Sequence, residues 1–227
     1  MKLYRYLHRG RILQSSELPE DAVLLPSVTP SKLVCVGRNY ADHAKELGND
    51  VPSEPILFLK PPTTLLAPNG TIVRPRQSQQ VEYEGELVIV IGREAKDVPQ
   101  ARWRDYVLGF TCANDVTARD LQKKDVQFTR GKSFDTFAPI GPCIETDLDV
   151  SDLRLTTRVN GALKQDCSTK LMIFPPSFLI EFISSIMTLL PGDVILTGTP
   201  AGVGPLQAGD QVDVSIEGIG VLRNVVA

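Results

Sequence analysis

Histidine is scarce in this chain: only His8 and His43 occur, and none of the four cysteines forms a CxxC pair. A structural zinc site, built from thiolates or imidazoles at short spacing, therefore has no ligand set here. Cys35, Cys112 and Cys143 lie in the apolar runs "LVCVG", "FTCAND" and "GPCIE", and Cys167 lies in what reads as a polar turn. All four are expected to be free thiols. Long apolar runs are missing too. No segment reaches the roughly 20 residues that a membrane helix needs, and "MKLYRYLHRG" has no apolar leader core. A cytoplasmic location is expected. Positive charge is not in excess, with 24 Lys and Arg against 27 Asp and Glu for a net charge of −3. That balance offers no electrostatic footprint for nucleic acid or an anionic membrane. Also absent are the GxSxG nucleophile signature, internal repeats and a nucleotide P-loop, since "LTGTPAGVGP" lacks the GK[ST] ending.

What is present fits a globular protein. Its 227 residues, 42% hydrophobic, suffice for one domain with a proper core. Residues 1–30 read as a short strand-rich extension, with strands at 2–7 and 11–14 followed by the linker-like "LPEDAVLLPSVTPSK". The main body, 31–227, opens on the buried strand "LVCVGRN". A short helix follows, "NYADHAKELG", with Asn39 as its N-cap and Gly48 as its stop. Strands are expected at "EPILFLKP", "GTIVRP", "VEYEGELVIVIG", "LGFTCAND" and "IGPCIET". Further strands are expected in a hairpin turning at Asn160–Gly161 and at "GDVILTGTP" and "DQVDVSIEGIGVLRNVVA". "DVPQARWRDYVLGF" suggests two or three helical turns. "PPSFLIEFISSIMTLL" is the longest helix, with Leu179, Phe182, Ile183 and Ile186 as its apolar stripe. Many short strands in no repeating βαβ order indicate an α+β, mostly β architecture rather than a doubly wound sheet.

The stretch "VEYEGELVIVIG" carries the first chemical signal. Side chains alternate along a strand, so Glu82, Glu84 and Glu86 share a face with Val88 and Val90, opposite Tyr83, Leu87, Ile89 and Ile91. A strand apolar on both faces is covered on both. Carboxylates at the mouth of such a strand must be neutralised, paired or metal-bound. Glu84 and Glu86 can converge on one ion, and Asp115, where "LGFTCAN" ends, is a third candidate. The plain alternatives are a solvated strand face and an N-cap role for Asp115. Three carboxylates without His or Cys describe a site for Mg²⁺, or alternatively Mn²⁺ or Ca²⁺.

Two further clusters stand out. His43 and Glu46, three apart on a short helix, share a face. A carboxylate on one imidazole nitrogen fixes the tautomer and makes the other a better base; an incidental exposed pair is the plain alternative. The other cluster could handle anions. Lys132 lies in a polar loop, "TRGKSFDTFAP", while "LTGTPAGVGP" could point N–H groups at a carboxylate or be a tight inter-strand loop. Arg38 and Arg119 are candidates for holding an acidic substrate.

Taken in order, "VCVGRNYADHAKEL", "EPILFLKPPTTL", "VEYEGELVIVIG", "NDVTARDLQ", "GKSFDTFAPIGP", "LTGTPAGVGP" and "AGDQVDVSIEGIG" resemble the fumarylacetoacetate hydrolase family over residues 31–227. The resemblance implies that family's layered β-roll with short helices, usually in a homodimer. It implies metal ligation by Glu84, Glu86 and Asp115, a catalytic His43–Glu46 pair on a lid helix, and an active-site Lys132. Gln122 and Thr199 match substrate-contacting positions. Glu82 has no equally firm counterpart and is read as lying at the strand's outer end, outside the ligand set. The chain resembles small single-copy members, without the large N-terminal domain of the animal fumarylacetoacetase or the duplication of one bacterial decarboxylase/isomerase.

The expected activity is divalent-metal-dependent hydrolysis of a C–C bond in an acylpyruvate, such as fumarylpyruvate or acetylpyruvate. His43–Glu46 would activate water, Lys132 would stabilise the oxyanion, and pyruvate enolate would leave at the metal. Hydroxyheptadienedioate isomerisation and oxaloacetate decarboxylation are the alternatives at the same site. From another class, a catalytically silent metal- and carboxylate-binding protein is the alternative; retention of His43, Glu46 and Lys132 argues against it. The partner in every enzymatic case is a small 2-keto acid.

Overall fold

A computed structural model describes all 227 residues, Met1–Ala227. Three sheets and a few short helices make up the chain. At the centre of the ten-stranded sheet runs Gly85–Ile91, antiparallel to both Val107–Asn114 and Val194–Leu196. Its alternation is the one expected. Leu87, Ile89 and Ile91 enter one apolar cluster with Phe110, Leu179 and Ile183, while Val88 and Val90 enter another with Leu33, Cys35 and Val194. Every residue of this strand is buried, so both faces are covered.

The first cluster is closed by the helix Pro176–Ile186 and by the five-stranded sheet, whose Leu155, Val214, Ile216 and Leu222 point into it. This second layer contains the hairpin Arg154–Val159 and Ala162–Ser168, turning at Asn160 (φ 50°) and Gly161 (φ 79°). Two residues in the left-handed region are what the tight hairpin requires. A three-stranded sheet places Val81–Tyr83 between Thr117–Ala118 and Gly204–Pro205, so the acidic segment passes from one sheet to another.

Several local expectations need correction. The acidic segment is broken at Glu84 into Val81–Tyr83 and Gly85–Ile91. "QARWRDY" is a 3-10 helix, Gln100–Tyr106, with no buried residue to anchor an α-helical stripe. The long helix stops at Ile186, which is 55% exposed, and Ile180 takes the buried place assigned to it. Cys167 lies within the strand Ala162–Ser168, not in a turn; all four cysteines are free. Asn39 does not cap the helix Ala41–Glu46. Tyr40 holds the cap position, and Asn39 instead donates to the carbonyls of Phe174 (3.0 Å) and Thr197 (2.8 Å) and accepts from Phe174 N–H (2.7 Å). Fully buried, that amide gains more from three fixed backbone partners than from a frayed helix end. In the stretch read as an extension, Lys2–His8 pairs with Ala138–Glu145 of the large sheet, and Val23–Leu24 pairs with it in turn. No helix is long and apolar enough to cross a membrane.

Candidate active site

The break at Glu84 turns the acidic segment towards a cavity of about 240 Å³. Glu84, Glu86, Asp115 and Lys132 form its floor, with His43, Arg38, Gln122 and Thr199 around the wall. Eight of the nine residues expected in the working site thus line one space, and Arg119, the tenth candidate, lines it too. The ninth, Glu46, stands behind His43, its Oε2 3.3 Å from His43 Nδ1.

One oxygen each from Glu84, Glu86 and Asp115 lies within 4.8 Å of the other two. Asp115 reaches this position because its strand ends at Asn114, and Asp115 N–H bonds the Glu84 carbonyl at 2.8 Å. The three carboxyls are buried to 4% exposure or less, so their charges need compensation. Buried cations supply most of it. Lys132 Nζ bridges Glu84 Oε2 and Asp115 Oδ2 at 2.7 Å each. Arg119 holds Glu82 Oε2 at 2.7 Å and also pairs with Glu84. Lys60 pairs with Asp115 and donates to the Phe137 carbonyl at 2.6 Å.

Glu86 is the exception. Its only hydrogen-bond partner is Gly198 N–H, at 2.7 Å, and no cation touches it. Burial, aided by the charges of Asp115 and Glu84, pushes its carboxyl well above the ordinary range. Glu84 is buried as deeply, but Lys132 and Arg119 overcome that penalty and hold its carboxyl below the usual range. Burial likewise disfavours the Lys132 ammonium, yet Asp115 and Glu84 more than reverse it and its pKa is raised. The constellation is thus short of one positive charge, next to Glu86. Three hard oxygen donors around that deficit fit a divalent cation. Zinc-type nitrogen and sulfur donors are missing from the triad.

The wall is built from loops tied to the floor. Arg38 sits at φ 58°, a backbone state that costs a non-glycine residue free energy and is concentrated at functional sites. Helix Ala41–Glu46 is held at its far end by Gly202 N–H, which donates to the Glu46 carboxylate at 3.0 and 3.2 Å. Lys132 ends a short helix, Thr129–Lys132, and is 2% exposed, contrary to the polar-loop reading. Arg119 is not free to hold an acidic substrate: its guanidinium is engaged by Glu82, Glu84 and Gln122 Oε1 (2.6 Å). Glu82 lies outside the triad, although it is buried and not at an open strand end. Sequence reasoning missed Lys60, whose only signal was a lysine closing the apolar run "ILFLK". It also missed Gln165, which joins Gly85 to Thr199 and stands in a polar stretch with no signal at all.

Comparison with known proteins places the chain in a family. The model for the fumarylacetoacetate hydrolase C-terminal domain matches residues 32–227. The mitochondrial oxaloacetate tautomerase FAHD2A of Homo sapiens is 43% identical over 232 residues, covering 96% of this chain and 74% of that protein. The crystal structure of 5-carboxymethyl-2-hydroxymuconate delta-isomerase from Mycobacterium smegmatis superposes with a TM-score of 0.92 at 46% identity, covering 100% and 98% of the two chains. A fumarylacetoacetate hydrolase from Exiguobacterium antarcticum superposes with a TM-score of 0.88 at 39% identity, covering 100% and 99%. With nearly its whole length matched, the chain belongs to the fumarylacetoacetate hydrolase family.

Proposed function

We propose that the protein moves a proton at the carbon beside the keto group of a small 2-keto acid, acting as a tautomerase or isomerase. The observation that carries this reading is the His43–Glu46 pair in the wall of the cavity whose floor is the acidic triad. His43 Nδ1–H donates to Glu46, which leaves Nε2 to accept and return a proton. Because Gly202 N–H also binds Glu46, the imidazole is oriented by a carboxylate that is itself fixed. Lys132 places a cation between Glu84 and Asp115, where substrate charge would otherwise meet bare carboxylates. Arg38, Gln122 and Thr199 are assigned to substrate contact from their places in the wall. A divalent cation on Glu84, Glu86 and Asp115, Mg²⁺ in our assignment, would supply Lewis acidity to the oxygens of the keto acid. A cavity of about 240 Å³ favours a compact acid.

Hydrolysis of an acylpyruvate is the second reading. Sequence alone favours it, and the Exiguobacterium relative bears a hydrolase's name. In that case the same imidazole would take its proton from water. The tautomerase and isomerase names borne by relatives at 43% and 46% identity reverse the order. A homodimer belongs to the proposal as well and is checked by sedimentation.

The test follows enol absorbance of purified protein with Mg²⁺ and a panel of oxaloacetate, a hydroxydienoate, acetylpyruvate and fumarylpyruvate. Accelerated keto–enol exchange of oxaloacetate, or double-bond migration in the dienoate, without C–C cleavage supports proton transfer. Release of pyruvate from an acylpyruvate selects hydrolysis. Turnover of none, with metal binding intact, would favour a silent binding protein.

A further inference from the structure

The peptide between the two strand glutamates is held from behind by Gln165, which lies outside both the triad and the cavity lining, and by Thr199, which stands in the cavity wall. Gly85 N–H donates to Gln165 Oε1 at 3.0 Å, and the Gly85 carbonyl accepts from Thr199 Oγ1 at 2.9 Å. Gln165 closes the ring, its Nε2 donating to Thr199 Oγ1 at 2.8 Å and to the Pro200 carbonyl at 2.8 Å. Gln165 is 1% exposed and Thr199 2%, so no water competes for these bonds. The approach is close: a β-carbon on Gly85 would come within 2.2 Å of Thr157 Oγ1 and 3.2 Å of Gln165 Oε1. The second sheet therefore reaches through to the acidic strand at the one residue separating Glu84 from Glu86.

We propose that Gln165 is a positioning residue that locks two halves of the site into one register, the carboxylate pair 84/86 and the 197–200 turn. The inference rests on the functional reading above, in which the triad takes a divalent cation and Thr199 meets the substrate. Gln165 has a polar group for each side. Its amide oxygen fixes the Gly85 peptide, and with it the relative aim of Glu84 and Glu86. Its amide nitrogen orients the Thr199 hydroxyl so that its proton goes to the Gly85 carbonyl and its lone pair receives the amide N–H. The same turn supplies Gly198 N–H to Glu86, so a shift of the turn also moves the partner of the unpaired carboxyl. Without Gln165 the cation site and the substrate wall would keep their residues and lose their mutual placement. His43 and Glu46 make no contact with Gln165, so the loss is expected chiefly in binding of the two ligands.

The test compares Gln165→Met with Thr157→Val in the full chain. Thr157 is equally buried, faces the same glycine, and its hydroxyl has no hydrogen-bond partner, so its removal gauges the structural cost alone. Mn²⁺ affinity is measured by titration without substrate, and KM and kcat with whichever panel acid is turned over. Amide hydrogen exchange is followed in peptides covering 81–92 and 194–205. For Gln165→Met we expect Mn²⁺ affinity to fall and KM to rise by about tenfold each, with kcat within about threefold of wild type. Exchange should quicken in both peptides, while Thr157→Val stays near wild type in all three readouts. Mn²⁺ affinity and exchange within twofold of wild type in Gln165→Met, whatever its melting temperature, would overturn the proposal. Equal losses in Thr157→Val would do the same. A wild-type chain that turns over no 2-keto acid would count against the functional reading, and the Mn²⁺ and exchange readouts would still decide the lock.

Discussion

The residues of the site differ less in kind than in how their charge is matched. Glu84 meets two cations, Asp115 meets two, and Glu86 meets none. Removing Glu84 therefore strips a ligand and also leaves Lys132 and Arg119 without a shared partner. Glu84→Ala is expected to abolish divalent binding by titration and activity with it. His43→Ala should separate the two functions. It keeps the triad, so Mn²⁺ affinity should remain within a few-fold, while turnover falls by about 10²- to 10⁴-fold, the usual worth of a positioned acid–base group. Normal turnover in that variant would mean that the proton-transfer group lies elsewhere. Lys60 invites a residue-scale test of its own. Lys60→Met leaves Asp115 one cation short and takes from the Phe137 carbonyl the nearer of its two donors, so a loss of about 3 kcal/mol in urea unfolding is expected.

Among the elements, the acidic strand does two jobs. From Leu87 to Ile91 it is completely buried in the central sheet, and at Glu84–Glu86 it leaves that sheet's core to become the cavity floor. Gly85 permits this by bringing backbone against the second sheet. Gly85→Ala should cost about 1–3 kcal/mol through overpacking against Thr157, and metal affinity should fall with it. Unchanged thermal stability would mean that the strand can retreat.

Period-two alternation of Glu and Val made this strand legible in the sequence, because burial on both faces leaves charged residues few destinations. The His43–Glu46 helix was legible from its spacing. What could not be read were contacts closed by distant segments. Asn39 looks like a helix cap until Phe174 and Thr197 arrive beside it. Lys132 looks like a loop lysine until Glu84 and Asp115 surround it. Gln165 carries no local pattern, since its meaning comes from a glycine 80 positions away. Likewise, "QARWRDY" has helical composition, yet it forms a 3-10 helix with no buried residue.

Across the whole molecule, one buried acid fastens the start of the main body to the central sheet. Asp193 is completely buried and accepts from Ser31 N–H (2.8 Å), Ser31 Oγ (2.7 Å), Lys32 N–H (3.2 Å), Lys32 Nζ (2.5 Å) and Leu190 N–H (2.9 Å). Burial opposes its charge, but Lys32 and the backbone donors outweigh that and hold its carboxyl below the ordinary range. The folded value lies below the unfolded one, so this stabilisation is complete above about pH 5 and fades as pH falls through the depressed folded value. Asp193→Asn should therefore lower the urea unfolding free energy by about 2 kcal/mol at neutral pH. The gap to wild type should narrow as the pH falls below the ordinary carboxylate range. A gap that stays constant with pH would show that the ionised form is not what matters.

The account as a whole depends on a cation held by Glu84, Glu86 and Asp115. The most direct measurement is turnover of the responsive panel acid by metal-stripped protein in EDTA, followed by restoration with Mg²⁺ or Mn²⁺. Activity should vanish in EDTA and return with either ion in wild type, and should not return in Glu84→Ala. Full activity in EDTA would contradict the account.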